Sequence, residues 1–217
     1  MTELKYTLLA DGPSDDALLP VLSWLLVRQM PETAIQPQWA DLRKLPLQPG
    51  QFDKIYCLGV LQHTPAPEES FRSLLPALRR GGEIVFDIYR LSWKTLFTGK
   101  YYLRPVTTRV RPERLLPYVA AYVRVMYPLV GMVHRVSPPA GRGIAKIIGI
   151  ADYRGVFEIP ADRLYEMSVL DTFDALSPTH DHPQTLASVR RWLSNAGLVD
   201  AEVGPGYNGI EARGRVP

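Results

Sequence analysis

The apolar positions of the chain change their period twice. From Lys5 to Ala10 they form a short continuous run suited to a buried strand, and Ser14, Asp15 and Asp16 then supply an N-cap and an acidic first turn for a helix over Ala17 to Met30. After Pro31, "AIQPQWADLRKLP" reads as a second short strand entering a loop, and "QPGQFD" as a turn. "KIYCLGVL", Lys54 to Leu61, has the unbroken apolar pattern of a strand buried on both sides. "PAPEESFRSLLPALRR" predicts a helix with Glu68 and Glu69 at its start and Arg79 and Arg80 at its end, matching the helix dipole, and Gly81-Gly82 stops it before the strand "EIVFDIY".

This alternation of strand and helix predicts a doubly wound, mostly parallel, Rossmann-like α/β sheet with helices on both faces. Beyond Tyr89 the period becomes helical, with aromatic and proline-punctuated segments such as "ERLLPYVAAYVRVMYPLVGMVHRV" and "GRGIAKIIGIADYRG". The expected organisation is one α/β domain over 1-217. It has a strand-turn-helix-strand start at 1-46, a core at 47-90 and 180-217, and a helical cap inserted at 91-179 after one of the sheet strands. The core resumes with the amphipathic helix "TLASVRRWLSNAG", closed by Gly197, and two final strands, "LVDAEVGP" and "NGIEARGRV".

Composition narrows the class. A length of 217 residues with 46% hydrophobic, 10% aromatic and 22% charged residues fits one globular domain with a sizeable core. The single cysteine, Cys57, leaves no internal disulfide, and no basic-then-apolar leader opens the sequence, so a cytoplasmic location is expected. Tyr118 to Val136 is the most apolar window, but Arg124, His134, Arg135 and Pro128 interrupt it. A membrane-spanning reading is therefore set aside, and peripheral membrane contact stays open. The net charge of +3 is unevenly spread: ten Lys or Arg stand against Glu113 alone between Lys94 and Gly149, while Ile150 to Gln184 holds seven acids against Arg154 and Arg163. The first stretch suits an anionic ligand, unless the two segments neutralise one another.

"WADLRKLPLQPGQFDKIYCLGVLQHTPAPEESFRSLLPALRRGGEIVFDIY" resembles the class I methyltransferases that use S-adenosylmethionine. The acidic "AD" loop, the following strand, the "GVLQH" loop, the next helix and the Gly-Gly turn fall in that family's order. "DTFDALSPTHDHPQTLASVRRWLSNAGLVDAEV" with "NGIEARGR" resembles its late helix and final hairpin. Ligands of open α/β sheets lie beyond the carboxyl ends of the strands, so these loops open on the expected crevice. The resemblance implies S-adenosylmethionine as cofactor, held by Asp41, Leu42, Leu58, Gly59, Val60 and His63, with Asp41 accepting from the adenine amino group. The alternative for Asp41 is a turn cap.

The family's Gly-x-Gly-x-Gly loop is missing, and so is the second strand with its terminal acid. Gly141-Arg142-Gly143 and Gly204-Pro205-Gly206 are misplaced, and Asp11-Gly12-Pro13 offers one glycine followed by a proline with no N–H to donate. Asp11 and Gly12, at the expected place of that loop, complete the candidate cofactor-binding residues. The segment 1-46, with "LLADGPSDDALLP", instead resembles the start of Toprim-like proteins, a family of metal-dependent nucleic-acid enzymes. By that resemblance Asp11 would be the metal-binding or acid-base carboxylate, with Asp15 nearby. That family's later Asp-x-Asp pair is absent. A composite chain, with a Toprim-like start in place of a methyltransferase's first strands, accounts for both halves.

Methyl transfer from a sulfonium needs positioning, a dry pocket and in some cases a base. His63, His180 and Asp174 are the candidate catalytic residues, each with a plain structural alternative. The cluster Asp174, His180, Asp181 and His182 could supply a base with its orienting acid or hold a metal. A capping turn ahead of the late helix explains Asp181 and Thr185 more simply, and no metal is expected. Tyr89, Tyr207 and Asn208 lie on loops that could face an acceptor. The aromatic residues of the cap, Trp93, Phe97, Tyr101, Tyr102 and Tyr118, read most simply as core.

Three functions follow. The first is a methyltransferase-like protein acting on a small molecule, anionic or bulky and apolar, with cofactor binding weakened or lost and nucleic acid disfavoured. The second is an inactive composite protein binding an anionic partner through the basic cap, and the third a fragment of a Toprim-type nuclease. Catalytic activity and oligomeric state are left open by the sequence.

Overall fold

A computed structural model describes residues 6–10, 35–39, 47–207 and 209–217. Two compact units emerge, one comprising residues 1–90 and 182–217 and the other Leu91–Asp181. In the first, β1 (Tyr6–Ala10) and β2 (Ile35–Trp39) pair in parallel as a two-stranded sheet. A second sheet has the order β3 (Phe52–Cys57), β4 (Leu78–Ile88), β6 (Gly209–Arg215), β5 (Val199–Gly206). β3 and β4 run parallel, while the β5–β6 hairpin joins β4 antiparallel. The expected Rossmann-like α/β class is borne out, with a mixed four-stranded sheet.

Local chemistry explains the element ends. Helix α1 (Pro67–Leu74) begins with Pro67 at its first position, where a missing N–H costs least, and carries Glu68 and Glu69 in its first turn. It ends earlier than its apolar pattern suggests, because Pro76 cannot donate to the preceding turn. The chain passes through a single 3-10 turn, Leu75–Ala77, into β4, so Arg79 and Arg80 sit at the irregular entrance of a strand, where Arg79 pairs with Asp53, and not at a helix end. Helix α6 (Leu186–Asn195) is opened by a reciprocal cap. The Ser188 N–H donates to Thr185 Oγ1 at 3.0 Å, and the Thr185 N–H donates to Ser188 Oγ at 3.0 Å.

The core of this unit lies on one face of the sheet. Phe71 and Leu74 of α1 and Val189, Trp192 and Leu193 of α6 cluster with Ile55, Cys57, Ile84, Phe86, Ile88, Ile210 and Ala212. Phe71 is the hinge of the cluster, 5.0 Å from the Phe86 ring and 6.2 Å from Trp192. The alternate positions Lys54, Tyr56, Glu211, Arg213 and Arg215 are exposed, Tyr56 at 64%. β3 is thus a strand buried on one side among the described residues, with the period-2 alternation of a half-covered sheet and not the two-sided burial its apolar run suggests.

The helical unit contains α2 (Lys100–Thr107), α3 (Pro112–Val136), α4 (Pro138–Ile148) and α5 (Ala161–Leu176). Leu115, Val119, Val123 and Val130 of α3 form its core with Ala145 of α4, Ile150 and Leu176 of α5. Trp93, Phe97, Tyr102 and Tyr118 are exposed, contrary to their reading as core. By length and composition alone α3 could cross a membrane, with mean hydropathy 1.3 over its most apolar 18 residues. Of the interruptions that argued against this, His134 and Arg135 fall in its last turn and Pro128 is accommodated within the helix, while Arg124 stands at its middle.

Candidate functional site at the carboxyl ends of the parallel strands

β3 and β4 are the parallel pair of the larger sheet, and their carboxyl ends carry the loop Leu58–Ala66 and the segment Ile88–Arg90. The loop turns at Gly59, whose φ of +74° is natural only to glycine and whose missing Cβ would meet no atom within 4 Å. Its backbone therefore stands open. The Gly59 N–H donates to Asp87 Oδ1 at 2.5 Å, and Asp87 is buried near the end of β4. A carboxylate accepting from a backbone amide is a strong anchor, so the corner is fixed from the neighbouring strand.

Beyond the corner a single 3-10 turn, Leu61–His63, precedes α1. His63 N–H donates to Val60 O at 2.9 Å, and Thr64 Oγ1–H donates to Leu61 O at 2.8 Å. The His63 ring stands edge-on to Tyr89, 5.5 Å between centroids. The chain re-entering from the helical unit ties the two strand ends together, with the His182 N–H donating to Gln62 O at 2.9 Å and the Gln184 N–H to Tyr89 O at 2.7 Å. From the far side the hairpin closes in: a Cβ on Gly209 would stand 2.6 Å from Ile88 O and 2.7 Å from Arg90 N, so only glycine permits this approach.

Two side chains define the chemistry of this corner. Gln62 is fully buried, and neither Oε1 nor Nε2 finds a hydrogen-bond partner among the described residues. A buried carboxamide with both ends unmet calls for a water or a ligand atom. Cys57, at the end of β3, is buried, and burial first and the Asp87 charge second push its thiol up to about 12. It is a packed neutral side chain and no nucleophile at ordinary pH.

The predicted site residues divide accordingly. Leu58, Gly59, Val60 and His63 share this loop, with Leu58 exposed. Asp174, near the end of α5, and His180 belong to the other unit. Asp11, Gly12, Asp41, Leu42 and Asn208 lie outside the described residues, as does most of the Toprim-like segment. The cluster Asp174 to His182 is divided in its work. Asp181 turns inward, with Lys100 Nζ 2.7 Å and Arg104 Nε 3.8 Å from its Oδ2, while His182 holds the loop of the sheet unit through its backbone. Among the described residues no group of three or more His, Cys, Asp or Glu could hold a metal ion. Sequence reasoning missed Asp87 and Gln62. A carboxylate ending the apolar strand "EIVFDIY" and a polar residue inside "GVLQH" were the available signals.

Residues 24–86 match the family model described as "Methyltransferase domain". Over residues matched in this way the resemblance to the class I S-adenosylmethionine-dependent methyltransferases is borne out. A tRNA U34 carboxymethyltransferase of Campylobacter curvus (strain 525.92) is 28% identical over 94 residues, 43% of this chain and 30% of that protein. One of Helicobacter acinonychis (strain Sheeba) is 51% identical over 39 residues, 18% of this chain and 15% of that protein. The chain thus spans less than a third of the length of these curated relatives. A solved S-adenosylmethionine-dependent methyltransferase of Thermotoga maritima, described as a possible histamine N-methyltransferase, is 13% identical, with 84% of this chain and 65% of that chain covered and a TM-score of 0.40.

Proposed function

We propose that the sheet unit binds S-adenosylmethionine at the Gly59 corner and serves a methyl transfer to a small molecule. The observation that carries this reading is the open backbone at Gly59, fixed by Asp87 at the carboxyl end of two parallel strands, within the stretch that matches the methyltransferase family. The residues fit the cofactor in two respects. A ligand can lie against the Gly59 backbone without meeting a side chain there, and the buried Gln62 carboxamide has donor and acceptor capacity unused. Leu58 and Val60 offer apolar surface beside the corner, and Asp41 is assigned to the adenine amino group. The cofactor supplies a methyl group on a sulfonium, open to attack without a metal. In this reading His63 takes the acceptor's proton, a role supported by its place at the end of the loop with its ring against Tyr89.

Binding is expected to be weaker than in relatives with a complete Gly-x-Gly-x-Gly loop, because a single glycine followed by Pro13 offers fewer backbone amides. Calorimetric titration with S-adenosylmethionine and S-adenosylhomocysteine tests the proposal. Heat of binding that is lost in Gly59→Val and reduced in Asp41→Ala is the expected result. No heat at millimolar cofactor sinks it.

A second reading replaces the small molecule by tRNA. It is favoured by the relatives that carry tRNA U34 carboxymethyltransferase as their name and by the excess of Lys and Arg between Lys94 and Gly149. Retention of tRNA in filter binding at 50 mM salt, falling steeply by 200 mM, would select it over the first.

A further inference from the structure

Helix α3 presents a second surface that the proposed chemistry leaves unused. Tyr118, Val125, Leu129, Met132 and Val136 recur at intervals of seven, four, three and four residues, which places them on one stripe of an α-helix. They are 71%, 57%, 46%, 56% and 88% exposed. The stripe that faces the unit's own core is a different one, formed by Leu115, Val119, Val123 and Val130. On the helical wheel the exposed apolar stripe is flanked by that buried stripe on one side and by Arg124 and Arg135 on the other, with Arg111 and Arg114 at its amino-terminal end. The neighbouring α4 adds exposed Ile144 and Ile147 with exposed Arg142 and Lys146. None of these six cations is in an ion pair among the described residues.

We infer that α3 docks the helical unit on the surface of an anionic lipid bilayer, its apolar stripe in the interface and its arginines among the headgroups. Three observations select this occupant. The helix is apolar enough by length and composition to enter a membrane, yet its Leu115-Val119-Val123-Val130 side is packed against α4 and α5, so it lies along the surface and does not span. Exposed Trp93, Phe97, Tyr102 and Tyr118 give the same unit the aromatic side chains that favour the headgroup level. The charge beside the stripe is mostly of one sign: exposed Arg111, Arg114, Arg124, Arg135, Arg142 and Lys146 stand against Glu113 and suit anionic headgroups. A second copy of the chain fits less well, since a two-fold contact on this stripe would bring like arginine rows together.

The test is flotation of the full chain with vesicles of phosphatidylcholine containing 30% phosphatidylglycerol, compared with phosphatidylcholine alone. Expected are binding to the anionic vesicles, loss of binding as salt is raised toward 0.5 M, and a drop in partition coefficient of roughly tenfold or more for Leu129→Asp. Arg124→Glu with Arg135→Glu should lower it on the same vesicles, whereas Val199→Asp, an equally exposed charge introduced on the sheet unit, should leave it unchanged. Because all these positions are exposed, an unaltered circular dichroism spectrum and melting curve are expected of each variant. No flotation, equal flotation of Leu129→Asp, or a concentration-dependent dimer abolished by Leu129→Asp without vesicle binding overturns the inference. Binding of RNA in place of vesicles, with the same arginine dependence, also overturns it.

Discussion

In the sheet unit the ion pairs Lys54–Glu83, Arg213–Glu202 and Arg215–Asp200 ride on the strands' uncovered positions, whereas in the helical unit Asp181 and Asp152 meet their cations in the interior. Their side chains are 1% exposed, against 66% for Glu202 and 71% for Asp200. The apolar groups are distributed the other way. Phe71, Phe86, Ile84 and Trp192 are hidden in the sheet unit, while the helical unit shows Trp93, Tyr118, Val125 and Val136. A small helical unit that spends interior space on Lys100, Arg104, Asp181, Asp152 and Arg154 has less room for its apolar side chains. The contrast gives its surface a meaning: apolar side chains left outside, beside unpaired-sign arginines, mark a face shaped for something other than water.

The sharpest way to break this comparison is to remove a buried charge. Asp181→Ala leaves Lys100 and Arg104 desolvated without their carboxylate, and a loss of about 3–5 kcal/mol in urea unfolding is expected. Burial already lowers the Lys100 pKa from its ordinary value, with Asp181 opposing that shift. Adding Lys100→Met to Asp181→Ala should therefore restore part of the loss. Equal stability of Asp181→Ala and wild type would show that the interior of this unit is wet and the contrast false. In the sheet unit the comparable change is Asp87→Asn, which keeps an acceptor for the Gly59 N–H but removes its charge. About 1–2 kcal/mol is expected there, with faster amide exchange at Gly59 as the specific readout.

What the sequence revealed follows the same division. Among the described residues the strands and helices of the sheet unit were legible because period, caps and Pro or Gly stops are local signals; Thr185, Gly197 and the Leu58–His63 loop all stand where their patterns put them. The end of α1 was misread because Arg79 and Arg80 fit a helix dipole, although Pro76 had already closed the helix. Two-sided burial of β3 was misread because an apolar run does not reveal which side another element covers; Tyr56 and Leu58 are exposed. The pairings that fix the candidate site were invisible for a further reason. Asp87 reaches Gly59 across 28 residues, and Lys100 reaches Asp181 from another helix, so neither leaves a spacing to read. The exposed aromatics of the helical unit escaped because Trp93 or Tyr118 has the same composition inside a core as on a membrane-facing surface.

A finer test sets the neutral interior of the sheet unit against its pH dependence. Folding keeps the Cys57 thiol protonated, with its pKa raised from 9.0 to about 12 by burial and then by Asp87. Below pH 9 the thiol is protonated in both states, so its contribution to stability is fully present. As pH rises toward 12 the unfolded thiol ionises first and that contribution is lost. Between pH 8 and pH 10 the wild type should lose about 1 kcal/mol more than Cys57→Ala, read from urea midpoints at both pH values. Identical pH dependence of the two proteins would mean that the end of β3 is open to water.

The smallest effect is expected on the exposed ladder. The Lys54 ammonium lies 2.6 Å from Glu83, and this hydrogen bond raises the lysine's pKa and lowers the carboxylate's. A lowered carboxylate pKa stabilises the fold above the unfolded value of 4.5 and loses that effect as pH falls through the folded one. Lys54 is exposed and Glu83 half-buried at the sheet surface, so solvent still screens the pair, and Glu83→Gln should cost at most about 0.5 kcal/mol at pH 7 and low salt. In 1 M salt the difference should vanish. If Glu83→Gln instead cost as much as Asp181→Ala, at a position on the uncovered side of the sheet, the carboxylate would have to be buried by another part of the protein. The sheet would then be covered on both faces, as the unbroken apolar run of β3 suggested.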